Sequence, residues 1–521
     1  MRIGGLQRLA WPMCAVLCLM TLLAPFFVVD VPAVLDYPNH LARYFILAHS
    51  TDPVLSRIYA PHWSVLPNLG MDLLGEAFLR ALPVHVAGRL LLALSLVAPV
   101  AGAMLYARAA FGRWTWWSLG AVVVAYNGVF FLGFMNFLLG LGAALTGAAA
   151  WRVLKARAGW TLAPVGALIG LCVFFCHLLG FAFFALLIMA QEIEDLFALR
   201  HEAPGSVRRG AQASARLALG LGPTVMIYLL THHSTQHGDA LAWRWRQKLL
   251  EWATPFLTYD HWLTVVTAVV VLTLAIMVRG RAERASGLAV SLATLVLLFV
   301  LAPFSAAGGA LVDARFPVMA AFLLFAGLAP RVSHREGAAI AALLVVLLVG
   351  RETDVVWNWR AHAQDLAELR SELAAVPPGA KIVFVETELR DPPHEGRGRM
   401  LQDFRRVDDN LPALAVIERR AFWPLLFADP GQQPIVVRPP YDRLAQALGS
   451  PPTWGDLLAA PSKVADREYP YLADWRASFD YVLVVGIPPV TVTPQGLSLM
   501  RAGQESSLYR VIHRTLTSGA R

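Results

Sequence analysis

Apolar runs recur along the first two thirds of the chain, and a membrane span needs about 20 such residues. About eleven candidate stretches lie between residues 9 and 350, centred near 19, 97, 122, 142, 168, 186, 222, 269, 293, 322 and 343. The stretch 161–198 reads as two short spans meeting near His177. Beyond residue 350 the pattern changes. Residues 360–375 alternate charge with Ala and Leu at helical spacing, and Val, Ile, Phe and Tyr cluster between Pro and Gly at 381–386, 434–437, 479–485 and 508–512, which predicts four strands. The expectation is a polytopic α-helical membrane protein of about 11 transmembrane helices over residues 1–350, with a small α/β domain over 351–521. A first loop, residues 30–85, follows the first span.

Composition agrees with that class: 57% of residues are hydrophobic and 15% charged, with a mean hydropathy of +0.54. Lys and Arg in short loops stay cytoplasmic. With eleven spans, 16 basic residues fall on one side (Arg2, Arg8, the 108–113, 152–157, 200–216 and 279–284 groups, Arg331 and Arg335) and 7 on the other. A single span at 161–198 would break this asymmetry. The amino terminus is therefore expected in the cytoplasm and the carboxy-terminal domain outside. The run 9–29 is long for a cleavable signal and no small-x-small site follows it, which predicts an uncleaved signal anchor. Arg outnumbers Lys and Ala is abundant, which points to a bacterial cytoplasmic membrane with the terminal domain in the periplasm.

Residues 1–350 carry 24 Lys+Arg against 15 Asp+Glu, and residues 351–521 carry 20 against 21. The basic excess thus belongs to membrane orientation and lipid head groups, and no nucleic-acid partner is indicated. All four cysteines, Cys14, Cys18, Cys172 and Cys176, lie in apolar runs, so the exported domain folds without disulfides. No cofactor motif is found. A divalent metal has no ligand spacing to support it, since His232, His233 and His237 suit no single helix face.

Ionisable groups concentrate in the first loop. Directly after the first span stand Asp36, Tyr37, Pro38, Asn39, His40, Leu41, Ala42 and Arg43, followed by His62, Asn68 and Asp72. Such groups beside a membrane are costly to desolvate and are usually kept for chemistry or for a ligand's charge. Pro38 disfavours helix at Tyr37, so Asp36 is expected to cap a helix beginning near residue 38 or 39, with His40 and Arg43 on its first turns. A purely structural reading makes Asp36 a cap and nothing more. On the same expected side lie His177, and Asp313 with Arg315 before the tenth span. Their shared side suggests one outward-facing cavity.

At this point the chain resembles the GT-C glycosyltransferases, integral membrane enzymes that use polyprenyl-phosphate-linked sugars. The resemblance rests on the architecture, on DYPNHLAR at 36–43, PNLGMD at 67–72, His177, and DARFP at 313–317. It implies transfer of a sugar to an envelope glycan or lipid acceptor, with Asp36 as general base or as the group that orients the acceptor, His40 or Asp72 tuning it, and the donor phosphate held by Arg315 first and Arg43 second. His62, Asn68, Asp72, His177 and Asp313 would complete the substrate site. The physical requirements agree, because phosphate favours Arg and an acceptor hydroxyl needs a base. The alternatives are a flippase for a lipid-linked glycan, against which no internal repeat is seen, and a non-catalytic envelope-assembly subunit.

Overall fold

The structure is a computed structural model in which the described residues are 3–199, 206–231, 241–306, 309–386, 400–401, 406–447, 449–459, 469–486 and 493–513. The chain divides into two compact units. One comprises Met1–Val28, Val65–Met71 and Arg89–Val356, and the other Val29–Ser64, Asp72–Gly88 and Trp357–Arg521. Most of the first loop therefore belongs to the same unit as the carboxy-terminal third.

In the first unit the apolar runs form helices. Among the described residues six are long and apolar enough to cross a membrane: Ala10–Phe27, Val84–Phe111, Met135–Lys155, Gly159–Cys176, Val207–Thr231 and His261–Arg281. The other five expected stretches take different forms. Leu288–Leu301 and Arg315–Gly327 are apolar but shorter. Leu178–Leu199 carries Glu192, Glu194 and Asp195 in its second half, and the apolar part of His334–Leu373 runs into Arg351, Glu352 and Asp354. The run near residue 122 is a 3-10 helix, Trp117–Val124, followed by the short helix Gly128–Phe131, whose N-cap Asn127 accepts from the Phe130 N–H. Gly120, three successive valines and Asn127 all weaken an α-helix there. Its apolar side chains other than Leu119 are buried against protein, which periodicity alone cannot distinguish from a lipid-facing span.

Close helix approach comes from glycine. A Cβ on Gly102 would lie 2.7 Å from the Gly142 carbonyl oxygen, and one on Gly180 would lie 2.9 Å from the Gly140 carbonyl carbon. Such contacts let backbones meet without side chains between them. Between Leu162–Cys176 and Leu178–Leu199, His177 alone is extended, at φ −168° and ψ 135°.

The second unit contains a four-stranded sheet in the order Ile382–Glu386, Tyr481–Val485, Ser506–Val511, Leu497–Ala502. The first pair is parallel and the other two are antiparallel. Four of the five residues in each of the two parallel strands are buried, as expected of strands covered on both faces. Leu366, Leu369 and Leu373 of the helix His334–Leu373 are buried at helical spacing. The first loop adds a helix, Tyr37–Ala48, and a strand, Tyr59–Pro61, that pairs antiparallel with Ile435–Val437.

Candidate functional site

The nine residues singled out from the sequence fall into two sets. Asp36, His40, Arg43, His62 and Asp72 lie in the unit with the carboxy-terminal third, and Asn68, His177, Asp313 and Arg315 lie in the membrane unit.

In the first set the helix Tyr37–Ala48 starts one residue earlier than expected. Asp36 occupies the N-cap position, yet its side chain makes no capping hydrogen bond and its backbone is already helical, at φ −84° and ψ −7°. The expected cap is thus corrected, because a cap side chain reaches its N–H groups from extended backbone. Asp36 Oδ1 instead accepts from Asn410 Nδ2 at 3.0 Å. Asn39, fully buried, holds the same neighbourhood. Its Nδ2 donates to Asn410 Oδ1 (3.1 Å) and to the Leu425 carbonyl (3.0 Å), and its Oδ1 accepts from the Phe427 N–H (2.8 Å). His40 packs edge-on to Phe427 at 5.6 Å.

Arg43 is 2% exposed and Asp72 1%, which makes their pairing decisive. Arg43 Nε and Nη2 meet Asp72 Oδ1 and Oδ2 at 2.5 and 3.2 Å, a bidentate ion pair. Burial pushes the Asp72 carboxyl up, with Arg43 pulling it back. Burial also works against the Arg43 charge, but Asp72, and more weakly Asp36, outweigh it and hold the guanidinium above its ordinary value. His62 is exposed, and its N–H continues the loop strand by donating to the Pro434 carbonyl at 2.7 Å.

In the membrane unit the structure brings His177 and Arg315 onto one aromatic ring. His177 lies edge-on to Phe137 at 5.4 Å. The Arg315 guanidinium sits 5.7 Å from that ring and 4.7 Å from Phe134. The Leu179 N–H donates to His177 Nδ1 at 3.0 Å, which leaves Nε2 as the proton-bearing nitrogen of the neutral ring. Gly140 makes room, since a Cβ there would stand 2.7 Å from the His177 Cβ. The turn at Asn68, with a left-handed φ of 71° that Asn tolerates, leads to Gly70, whose Cβ position is 3.2 Å from the Cys176 Cα. Asn68 and His177 thus sit at neighbouring chain turns.

Asp313 is committed to Lys248, at 3.5 Å with both side chains buried. Lys248 also donates to the carbonyls of Phe299 (2.9 Å), Val300 (3.1 Å) and Ala302, satisfying the carboxyl end of Leu288–Leu301. Lys248, Asn39 and Asn410 are the residues that sequence reasoning missed. A lone Lys, here in the short helix Trp245–Glu251, carries no sign of its partners, and an Asn pair separated by 371 positions leaves no local pattern. Among the described residues no group of three His, Cys, Asp or Glu side chains is gathered for a metal ion. His232, His233 and His237 lie outside the described residues.

The fold and these clusters define a helical membrane protein with a mixed α/β unit. No family model matches the chain, and no curated protein matches it. Among solved structures it is similar to the arabinofuranosyltransferase AftD from mycobacteria, with 17% identity and a TM-score of 0.44 over 96% of this chain and 40% of that one. A mutant of the same protein in a second class gives the same identity and TM-score, with 41% of that chain covered. The chain thus spans about two fifths of the length of the protein it matches.

Proposed function

We propose that the protein is a membrane glycosyltransferase that moves a sugar from a polyprenyl-phosphate carrier to a cell-envelope acceptor at the periplasmic face. The acceptor hydroxyl oxygen bonds to the anomeric carbon as the bond from that carbon to the phosphate oxygen breaks. Asp36 takes the hydroxyl proton, and polyprenyl phosphate leaves with the bonding electron pair. One observation carries this reading: the Asp36 carboxylate, at the start of the helix that also holds His40 and Arg43, is held by a side-chain amide, Asn410 Nδ2, at 3.0 Å. Base catalysis of this kind is worth about 10²- to 10⁴-fold.

Within the membrane unit, Arg315 is the group best suited to a phosphate. Its planar cation is steadied on two phenyl faces and suits phosphate oxygens in a two-point geometry. His177, sharing Phe137 with it, offers an N–H beside that guanidinium. Arg43 serves from the interior, where Asp72 fixes its position and its charge favours an ionised Asp36.

Asp36→Asn tests the reading, because it keeps shape while removing the basic oxygen. Purified full-length protein supplied with a polyprenyl-phosphate sugar is expected to release polyprenyl phosphate, and the variant to release it at least 100-fold more slowly. Wild-type turnover by the variant rejects Asp36 as base.

A further inference from the structure

The carboxy-terminal third supplies more than packing around Asp36. The hydrogen bonds there admit one arrangement only. The Phe427 N–H can only donate, so the Asn39 atom facing it at 2.8 Å is the amide oxygen. The Leu425 carbonyl can only accept, so the Asn39 amide nitrogen faces it at 3.0 Å. That nitrogen's second hydrogen points at Asn410, whose facing atom must therefore be its oxygen. The Asn410 amide nitrogen is left to face Asp36 Oδ1, at 3.0 Å. Amide orientations are ordinarily a matter of assignment, but here two backbone groups fix both.

Asn410 is not occupied elsewhere as a cap. It stands at the start of the 3-10 helix Leu411–Ala413 and makes no capping bond with its side chain. Its nitrogen gives Asp36 a donor that cannot take up the proton, and donation to a carboxylate favours the charged form. It also ties Asp36 Oδ1 to that donor.

We propose that Asn410 is the positioning residue for Asp36, orienting its carboxylate and keeping it ionised, with Asn39 serving as the brace that locks Asn410. This rests on the reading of Asp36 as the base. The titratable and charged groups near Asp36 include His40 and Arg43 on its own helix, Asp72 across from Arg43, and, directly before Asn410 in the chain, Asp408 and Asp409 with the Arg406 that faces both.

The test is the pH–rate profile of polyprenyl-phosphate release by the full-length protein. Asn410→Asp keeps the shape and the acceptor for Asn39 but replaces the donor with a second carboxylate. It is expected to move the acidic limb of kcat upward by about one pH unit, to lower kcat about tenfold at pH values below both limbs, and to change the donor KM less than twofold. An acidic limb that coincides with wild type overturns the positioning role. Should Asn410→Asp not fold, Asn410→Ser and Asn410→Ala answer the same question. A serine variant faster than the alanine variant supports the role of the donor, and equal loss in both overturns it. Asp36→Asn is run alongside: if it turns over normally, the base assignment itself falls. If it is inactive while the Asn410→Asp limb is unmoved, only the role of Asn410 falls.

Discussion

Asp36, Asn39, His40 and Arg43 occupy one short segment, yet each has a different employment. Asn39 ties chain to chain, His40 packs on Phe427, and Arg43 is locked to Asp72. The sequence shows that these side chains are crowded together, which marks the segment. It does not show their partners, because Asn410 and Phe427 stand 371 and 388 positions away from Asn39. The Arg43–Asp72 pair makes a sharp prediction at this scale. Asp72→Asn leaves a buried guanidinium without its counter-charge and is expected to cost about 3–5 kcal/mol. Replacing both partners with apolar residues of similar volume, Arg43→Met with Asp72→Leu, is expected to recover most of that loss. Thermal unfolding of the purified chain and its two variants checks both statements, and equal Tm values for the single and double variants would reject them.

At the scale of elements, the helices long enough to span stand out in the sequence because continuous apolar composition is itself the signal. Among the described residues, four of the five strands in the carboxy-terminal third stand out for a similar reason, since β-branched runs sit between Pro and Gly, whereas Leu497–Ala502 has no β-branched residue and gives no such signal. The segment Trp117–Val124 misleads because interior protein and lipid reward the same side chains. Helix contact is set by smaller features. Gly140 sits where the break at His177 crosses the helix Met135–Lys155, and its Cβ space is taken by His177. Gly140→Val is therefore expected to push His177 away from Phe137, reducing donor binding as well as stability, with a loss of about 1–3 kcal/mol from overpacking. Measuring donor KM and Tm together checks this, and a variant with lower Tm but unchanged KM would separate His177 from the substrate.

Across the whole molecule, acid–base behaviour is set in part by Glu372, at the end of the helix His334–Leu373. Burial pushes its carboxyl up to about 7, with Ser506 and Arg501 pulling against it and the Glu368 charge adding to it. The folded state thus holds a proton that the unfolded chain, with an ordinary Glu pKa of about 4.3, has released. Its contribution is fully present below the unfolded value and is lost as pH rises through about 7. Glu372→Gln is expected to flatten this slope between pH 5 and 8, raising stability at pH 8 by on the order of 1 kcal/mol. Protease susceptibility of the 357–513 region in the full chain at both pH values checks it, and an unchanged slope rejects the assignment.

The bond between Asn39 and Asn410 also sets a timetable for biosynthesis. At about 5–20 residues per second, the helix Tyr37–Ala48 leaves the ribosome roughly 20–70 s before the residues that complete its surroundings. During that interval Asn39 has none of the partners it holds in the finished protein, and His40 and Phe45 lack Phe427 and Arg420. A holdase or a protease is offered a waiting target close to the amino terminus, and premature termination anywhere before residue 410 leaves that target on permanent display. Damage at or before Asn410 is thereby announced 371 positions upstream, at Asn39.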